Sequence, residues 1–339
     1  METKLEPVPG AHDGSTGSSS RLSAAGAWLL KTQEGVLLLT LVVLCVLLTF
    51  ASPVFLTQRN IGVLLSQISM TAITAIGMTL LVTAGEVDLS VGSMQALIGV
   101  LVMLILNQTG NLALGIVAGI LIGAAITTIS AFATVWLGIN SLIATLAMLS
   151  IVRGLSYTFT SAAVQNTHRL PAFAEIGNGF IGPIPWPVAI FIAVFVIFYL
   201  VFTRTTFGRY IQAVGGNKKA SQLSGIRSGI TKWLAFMITG MLAAVSAIIL
   251  LSRMNSGQNN AGFGFELEVI GAVLLGGTSL RGGKGTLLGT LLAVLLLGVL
   301  NNGIILLDIN SNWQVAVNGF VILLAVLLDA RRRARLGED

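Results

Sequence analysis

Ionisable side chains are scarce: Asp, Glu, Lys and Arg together make up 9% of the 339 residues, against roughly a quarter in an ordinary soluble domain. A water-soluble globular protein is thereby excluded. Cysteine is all but missing. The single thiol, Cys45, has no partner in the chain, so an intrachain disulfide is ruled out and redox chemistry has no foothold. The two histidines, His12 and His168, lie far apart, and no His, Cys or acidic cluster has metal-ligand spacing. Strict apolar and polar alternation is also lacking. Residues 36–50 and 188–202 are apolar all round, which argues against an outer-membrane barrel.

What the chain has instead is a succession of long apolar runs. At about 20 residues per span, they read as about ten membrane helices, near 36–52, 61–84, 91–106, 112–137, 141–160, 188–203, 231–251, 266–280, 286–307 and 313–328. The expected fold is therefore all-α and polytopic, with a transmembrane domain over 28–330. Thirty-nine glycines against seven prolines suit helices that pack through small residues, since lipid supplies no hydrophobic force between them. Gly115, Gly119 and Gly123 form one such face. Residues 1–27, rich in Gly, Ser and Pro, read as a disordered cytoplasmic tail without a signal-peptide core, and 331–339 as a basic cytoplasmic C-terminal tail.

The formal charge of +6 is a matter of orientation rather than of nucleic-acid binding. With both termini in the cytoplasm, the cytoplasmic segments hold Lys4, Arg21, Lys31, Arg204, Arg209, Lys218, Lys219, Arg227, Lys232, Arg281, Lys284, Arg331, Arg332, Arg333 and Arg335. The opposite loops hold only Arg59, Arg169 and Arg253. Arg153, inside the fifth run, reads as snorkelling to the outer interface, with service to a membrane pathway as the alternative.

Three stretches carry chemical information. Gly85-Glu86-Val87-Asp88-Leu89-Ser90-Val91-Gly92-Ser93 sets two carboxylates and two hydroxyls between apolar runs. It reads as a capped helix start, as a broken or re-entrant helix beside a polar path, or as both. Gly264-Phe265-Glu266-Leu267-Glu268 opens a short run in a related way, which fits two inverted five-span halves as well as a chance recurrence. Gly276-Gly277-Thr278-Ser279-Leu280-Arg281-Gly282-Gly283-Lys284-Gly285 resembles a phosphate loop superficially but lacks its spacing and reads as a tight turn. Between runs six and seven, Asn217 is placed to cap a helix of about two turns ending near Gly225. Such a short rigid element suits docking to a cytoplasmic subunit; a plain basic loop is the alternative. Glu86, Asp88, Glu266, Glu268 and Asp308 all read as near span ends, which leaves no intramembrane relay for a proton-driven carrier. No soluble segment is long enough to form an enzyme domain, so no catalytic residues are assigned.

Taken in order, Gly77-Met78-Thr79 leading into Glu86-Val87-Asp88-Leu89-Ser90-Val91-Gly92-Ser93, the stretch 213–226, and Gly276-Gly277-Thr278-Ser279-Leu280 resemble the ribose-type sugar permease family. These are membrane subunits of bacterial ATP-binding-cassette importers. The resemblance implies a bacterial inner-membrane permease that works as a pair of copies. It also implies a cytoplasmic ATPase that binds the ATP and Mg, an external solute-binding protein that delivers a monosaccharide, and no cofactor in this chain. It implies a coupling role for Gly215, Gly216, Asn217, Ala220, Ser224 and Gly225, and a β-branched residue at Gly216 is expected to abolish transport. Candidate path residues are Glu86, Asp88, Ser90, Ser93, Gln95, Asn301 and Asn302. Alternatives are a secondary transporter driven by an ion gradient, or the same importer role with a cargo other than a sugar.

Overall fold

The computed structural model describes residues 32–160, 165–166, 170–310 and 312–336. The proposed tail 1–27, His168 and the last residues, 337–339, lie outside them. Thirteen helices dominate the described residues: α1 Gln33–Ala51, α2 Gln58–Thr83, α3 Val91–Thr109, α4 Leu112–Ala131, α5 Ser141–Thr160, α6 Pro171–Asn178, α7 Trp186–Arg204, α8 Thr206–Gly216, α9 Lys218–Leu223, α10 Ser228–Met254, α11 Phe265–Leu275, α12 Leu287–Leu306 and α13 Trp313–Leu336. Sheet is confined to two-residue pairings, residues 165–166 with Ser256–Gly257 and Phe180–Ile181 with Ile184–Pro185. The protein is an all-α polytopic membrane protein.

Eight helices among the described residues are long and apolar enough to cross a bilayer: α1, α2, α3, α4 with the π-helical turn Phe132–Trp136, α5, α7, α10 and α12. The continuous span expected near 266–280 is instead the 11-residue helix α11. At 1.5 Å per residue it covers only about 16 Å of a hydrocarbon core about 30 Å thick. The helix itself is apolar after its first turn, but Gly276 and Gly277 end it and the polar pair Thr278-Ser279 follows, so the apolar stretch is too short for a full span. The last helix runs on to Leu336, past the apolar stretch that ends the membrane region.

Contacts sort the loops to two ends. At one, Gln33 Nε2 donates to the Leu275 carbonyl at 2.8 Å, and Gly283 N donates to the Thr83 carbonyl at 2.8 Å. At the other, Asn60 and Asn302 exchange side-chain amide hydrogen bonds at 2.9 and 3.1 Å, and Asn178 Nδ2 donates to the Ser252 carbonyl at 3.2 Å. Chain direction alternates between these ends as a serpentine requires. We call them inner and outer, the inner end being the one that carries α8 and α9.

The centre is α2, whose side chains are buried continuously from Ile68 to Thr83, packed among α7, α10, α11 and α12. The glycine face of α4 lies against its neighbours at close range. Gly115 sits on Leu106, Gly119 on Val102 and Ile248, and Gly123 on the backbone of Gly240, where a Cβ would have no room. Small residues bring the helices to backbone contact, the form of cohesion that lipid leaves available.

Candidate functional site

Two interruptions of the helical spans define the centre. The first follows α2. Glu86 accepts an ion pair from Lys232 Nζ, 2.5 Å, at the inner part of α10, and Val87 N donates to Ser141 Oγ at 3.4 Å. Four residues into α3, Gln95 Nε2 donates to Ser246 Oγ at 3.3 Å. Lys232 and Ser246 are separated by about 21 Å of helix, so residues 86–90 climb well into the membrane layer before α3 begins. Asp88 closes the turn: its Oδ1 accepts from Ser90 N at 2.8 Å and from Ser90 Oγ at 2.6 Å, and Ser93 Oγ donates to the Ser90 carbonyl at 2.9 Å. The segment is therefore a break whose turn is closed by Asp88, while Ser90, the N-cap position of α3, makes no side-chain capping hydrogen bond.

The second interruption enters from the outer end. After α10 the chain turns through Asn255, which has a φ of 49°, and descends through 258–264 before α11 starts. Its carbonyls are held by α5. Arg153 Nη1 donates to Ala261 O at 2.8 Å and to Asn259 O at 3.1 Å, and Ser156 Oγ donates to Asn259 O at 3.2 Å. The snorkelling expectation for Arg153 is thus overturned. Free carbonyls of non-helical backbone at membrane depth need donors, and the guanidinium supplies them instead of reaching for the interface. The two breaks meet where Gly92 lies against the Gly262 carbonyl and the Glu266 carboxylate.

Beside this meeting point lies a cavity of about 220 Å³, lined by Gln67, Thr71, Gln95, Phe265, Glu268, Asn301 and Gln314 among apolar neighbours. An adjoining recess of about 240 Å³ shares Phe265, Glu268, Asn301 and Gln314 and reaches Gly262 and Asn318. Thr71 Oγ1 donates to Glu268 Oε1 at 3.2 Å, whereas Asn301 Oδ1 is buried and has no partner among the described residues. Of the candidate path residues, the structure brings Gln95 and Asn301 to this cavity. Asn302 binds Asn60 at the outer end, Glu86 is paired at the inner end, and Asp88, Ser90 and Ser93 are buried at the start of α3. Gln67, Thr71, Glu268 and Gln314 were missed. Gln67 and Thr71 lie four residues apart, one helical face, a signal that was available. Glu268, expected near a span end, sits deep because α11 starts inside the membrane layer, level with Thr71 near the middle of α2.

At the inner end, Asn217 Oδ1 accepts from Ala220 N at 2.9 Å and caps α9, which ends at Ser224 before Gly225, φ 83°. Gly215 lies in backbone contact with Thr83 and Gly283, and a Cβ there would strike the Thr83 carbonyl. At Gly216 the nearest atom to such a Cβ is 3.8 Å away, an ordinary contact. Packing within the chain thus demands glycine at 215 rather than at 216, the position singled out from sequence.

An all-α serpentine with two broken spans converging on a polar recess defines a membrane permease. The family described as branched-chain amino acid transport system / permease component matches residues 60–326, and the chain belongs to it. The chain is 39% identical over 318 residues to the ribose import permease protein RbsC of Escherichia coli (strain K12), covering 93% of this chain and 98% of that one. It is 38% identical over 297 residues to the RbsC of Bacillus subtilis (strain 168), 87% of this chain and 92% of that one. It is 36% identical over 309 residues to the L-arabinose ABC transporter permease protein AraH of Azospirillum brasilense, 91% of this chain and 90% of that one. No solved structure matches.

Proposed function

We propose that the chain is the permease subunit of an ATP-driven importer in a bacterial inner membrane, forming the path for a monosaccharide. The observation that carries the proposal is the cavity at the two breaks, neutral amides and a hydroxyl around one carboxylate, in a chain whose relatives are named as ribose and arabinose permeases. Amide and hydroxyl groups offer both donors and acceptors, which suits a neutral polyol. Two copies work together, each with inverted halves in which α3 corresponds to α11. An external solute-binding protein delivers the cargo. A separate cytoplasmic ATPase binds ATP and Mg and docks on α8 and α9, including Gly215, Gly216, Asn217, Ala220, Ser224 and Gly225. Both termini lie in the cytoplasm, in keeping with the basic inner loops.

Nucleotide-driven closure of the ATPases pulls on α9 and switches the paired permeases between outward and inward access, a rigid-body change. The test is uptake of labelled ribose, arabinose, xylose and galactose by cells with and without this chain, with ion gradients collapsed and ATP held constant. Uptake that survives supports the importer; uptake lost with the gradients overturns it in favour of a secondary carrier.

A further inference from the structure

We infer that Glu268 and Phe265 together form the cargo grip of the central cavity, selecting a neutral sugar that presents two adjacent hydroxyls. The inference rests on the importer reading above and names the residues that enforce it. Among the described residues, Glu268 is the one ionisable side chain lining either of the two adjoining recesses, and no Lys, Arg or His lines them. A ligand carrying its own carboxylate or phosphate would therefore enter without a counter-charge and beside a resident carboxyl group, which is unfavourable at membrane depth. A ligand that brings O–H donors meets the opposite situation. Glu268 Oε1 is engaged only by Thr71 at 3.2 Å, and Oε2 has no hydrogen-bond partner among the described residues. A carboxylate's two oxygens accept in parallel, so adjacent hydroxyls on one ring match its fork. Asn301 Oδ1, a buried acceptor without a protein partner, supplies a third position for a donor.

The aromatic ring completes the selection. Phe265 precedes Glu268 by one helical turn and lines both recesses, so ring and carboxyl group lie on the same face of α11. A sugar ring has an apolar C–H face and a polar edge. Phe265 offers a surface to the first while Glu268 and the amides of Gln95 and Asn301 take the second. The grip is open on one side, as a path that must release its cargo requires.

The test uses the complete importer in cells, with E268Q, E268A and F265A compared with wild type. The exposed carboxylate Glu175, remote from the cavity, is changed to Gln as a control. Because a delivery protein sets the sugar concentration needed for half-maximal uptake, E268Q is expected to lower the maximal rate at least tenfold and leave half-saturation unchanged. E175Q is expected to transport at the wild-type rate. The ratio of maximal rates for ribose over 2-deoxyribose, which lacks one of the adjacent hydroxyls, should fall toward unity in E268Q. Wild-type rate and discrimination in E268Q would overturn the inference, as would a lowered rate with the ratio unchanged, which marks a merely structural residue. Collapse of wild-type uptake with the ion gradients, or no uptake of any sugar in the panel, would instead sink the importer reading and this inference with it.

Discussion

The two breaks solve the same problem with different means. Residues 85–90 are held partly from within, where Asp88 takes both groups of Ser90, and partly by side chains at the inner starts of α10 and α5, Lys232 on Glu86 and Ser141 on Val87. Residues 255–264 depend on another helix, through Arg153 and Ser156, and leave Phe263 85% exposed. The first break is an anchor and the second is a suspended strand. Under the alternating access proposed above, the element tied by a few side-chain hydrogen bonds is the one with freedom to shift.

That contrast can be broken at either side. The largest effect is expected from Gly215→Val, which drives a side chain into the Thr83 carbonyl at the foot of the first break. Uptake should vanish while the protein still reaches the membrane, and normal uptake would show that this contact is not needed. Next, Lys232→Ala leaves the Glu86 carboxylate largely buried without its partner, at a cost of about 3–5 kcal/mol. Thermal unfolding in detergent should show the loss, and the additional change Glu86→Gln should recover part of it; additive effects would mean that the pair is not coupled.

Arg153→Met removes the donors of the second break only. Hydrogen bonds from a charged donor contribute about 1.5–3 kcal/mol, so amide exchange across 255–264 should quicken by about tenfold or more while 85–90 keeps its protection. Equal acceleration in both segments would erase the distinction drawn between them. The smallest effect belongs to Asn217→Ala, which removes the α9 cap for about 1 kcal/mol. A modest fall in uptake is expected, restored by Asn217→Ser, and no change in either would separate the cap from transport.

Much of this architecture was legible in the sequence, and the parts that were not share a cause. Apolar runs gave the long helices, Asn217 and Gly225 marked the ends of α9, and Gly115, Gly119 and Gly123 announced a packing face. Each of these is a local pattern. Depth within the membrane is not local: nothing around Glu268 states that α11 begins halfway through, because that follows from where residues 255–264 are suspended by Arg153, more than a hundred positions earlier. Asn301 and Asn302 make the same point. They are chemically identical neighbours, yet helical rotation sends one to the cavity and the other to Asn60.

The meeting of Gly85, Gly215, Gly282 and Gly283 at the inner end is made of main chain alone. A junction without side chains carries no record of the molecule being moved. On the importer reading proposed above, machinery that transmits force through it is indifferent to what fills the chamber about 20 Å above. Selectivity can therefore be rewritten in the chamber, residue by residue, while the drive train is left as it stands, and a single motor design can serve many different goods.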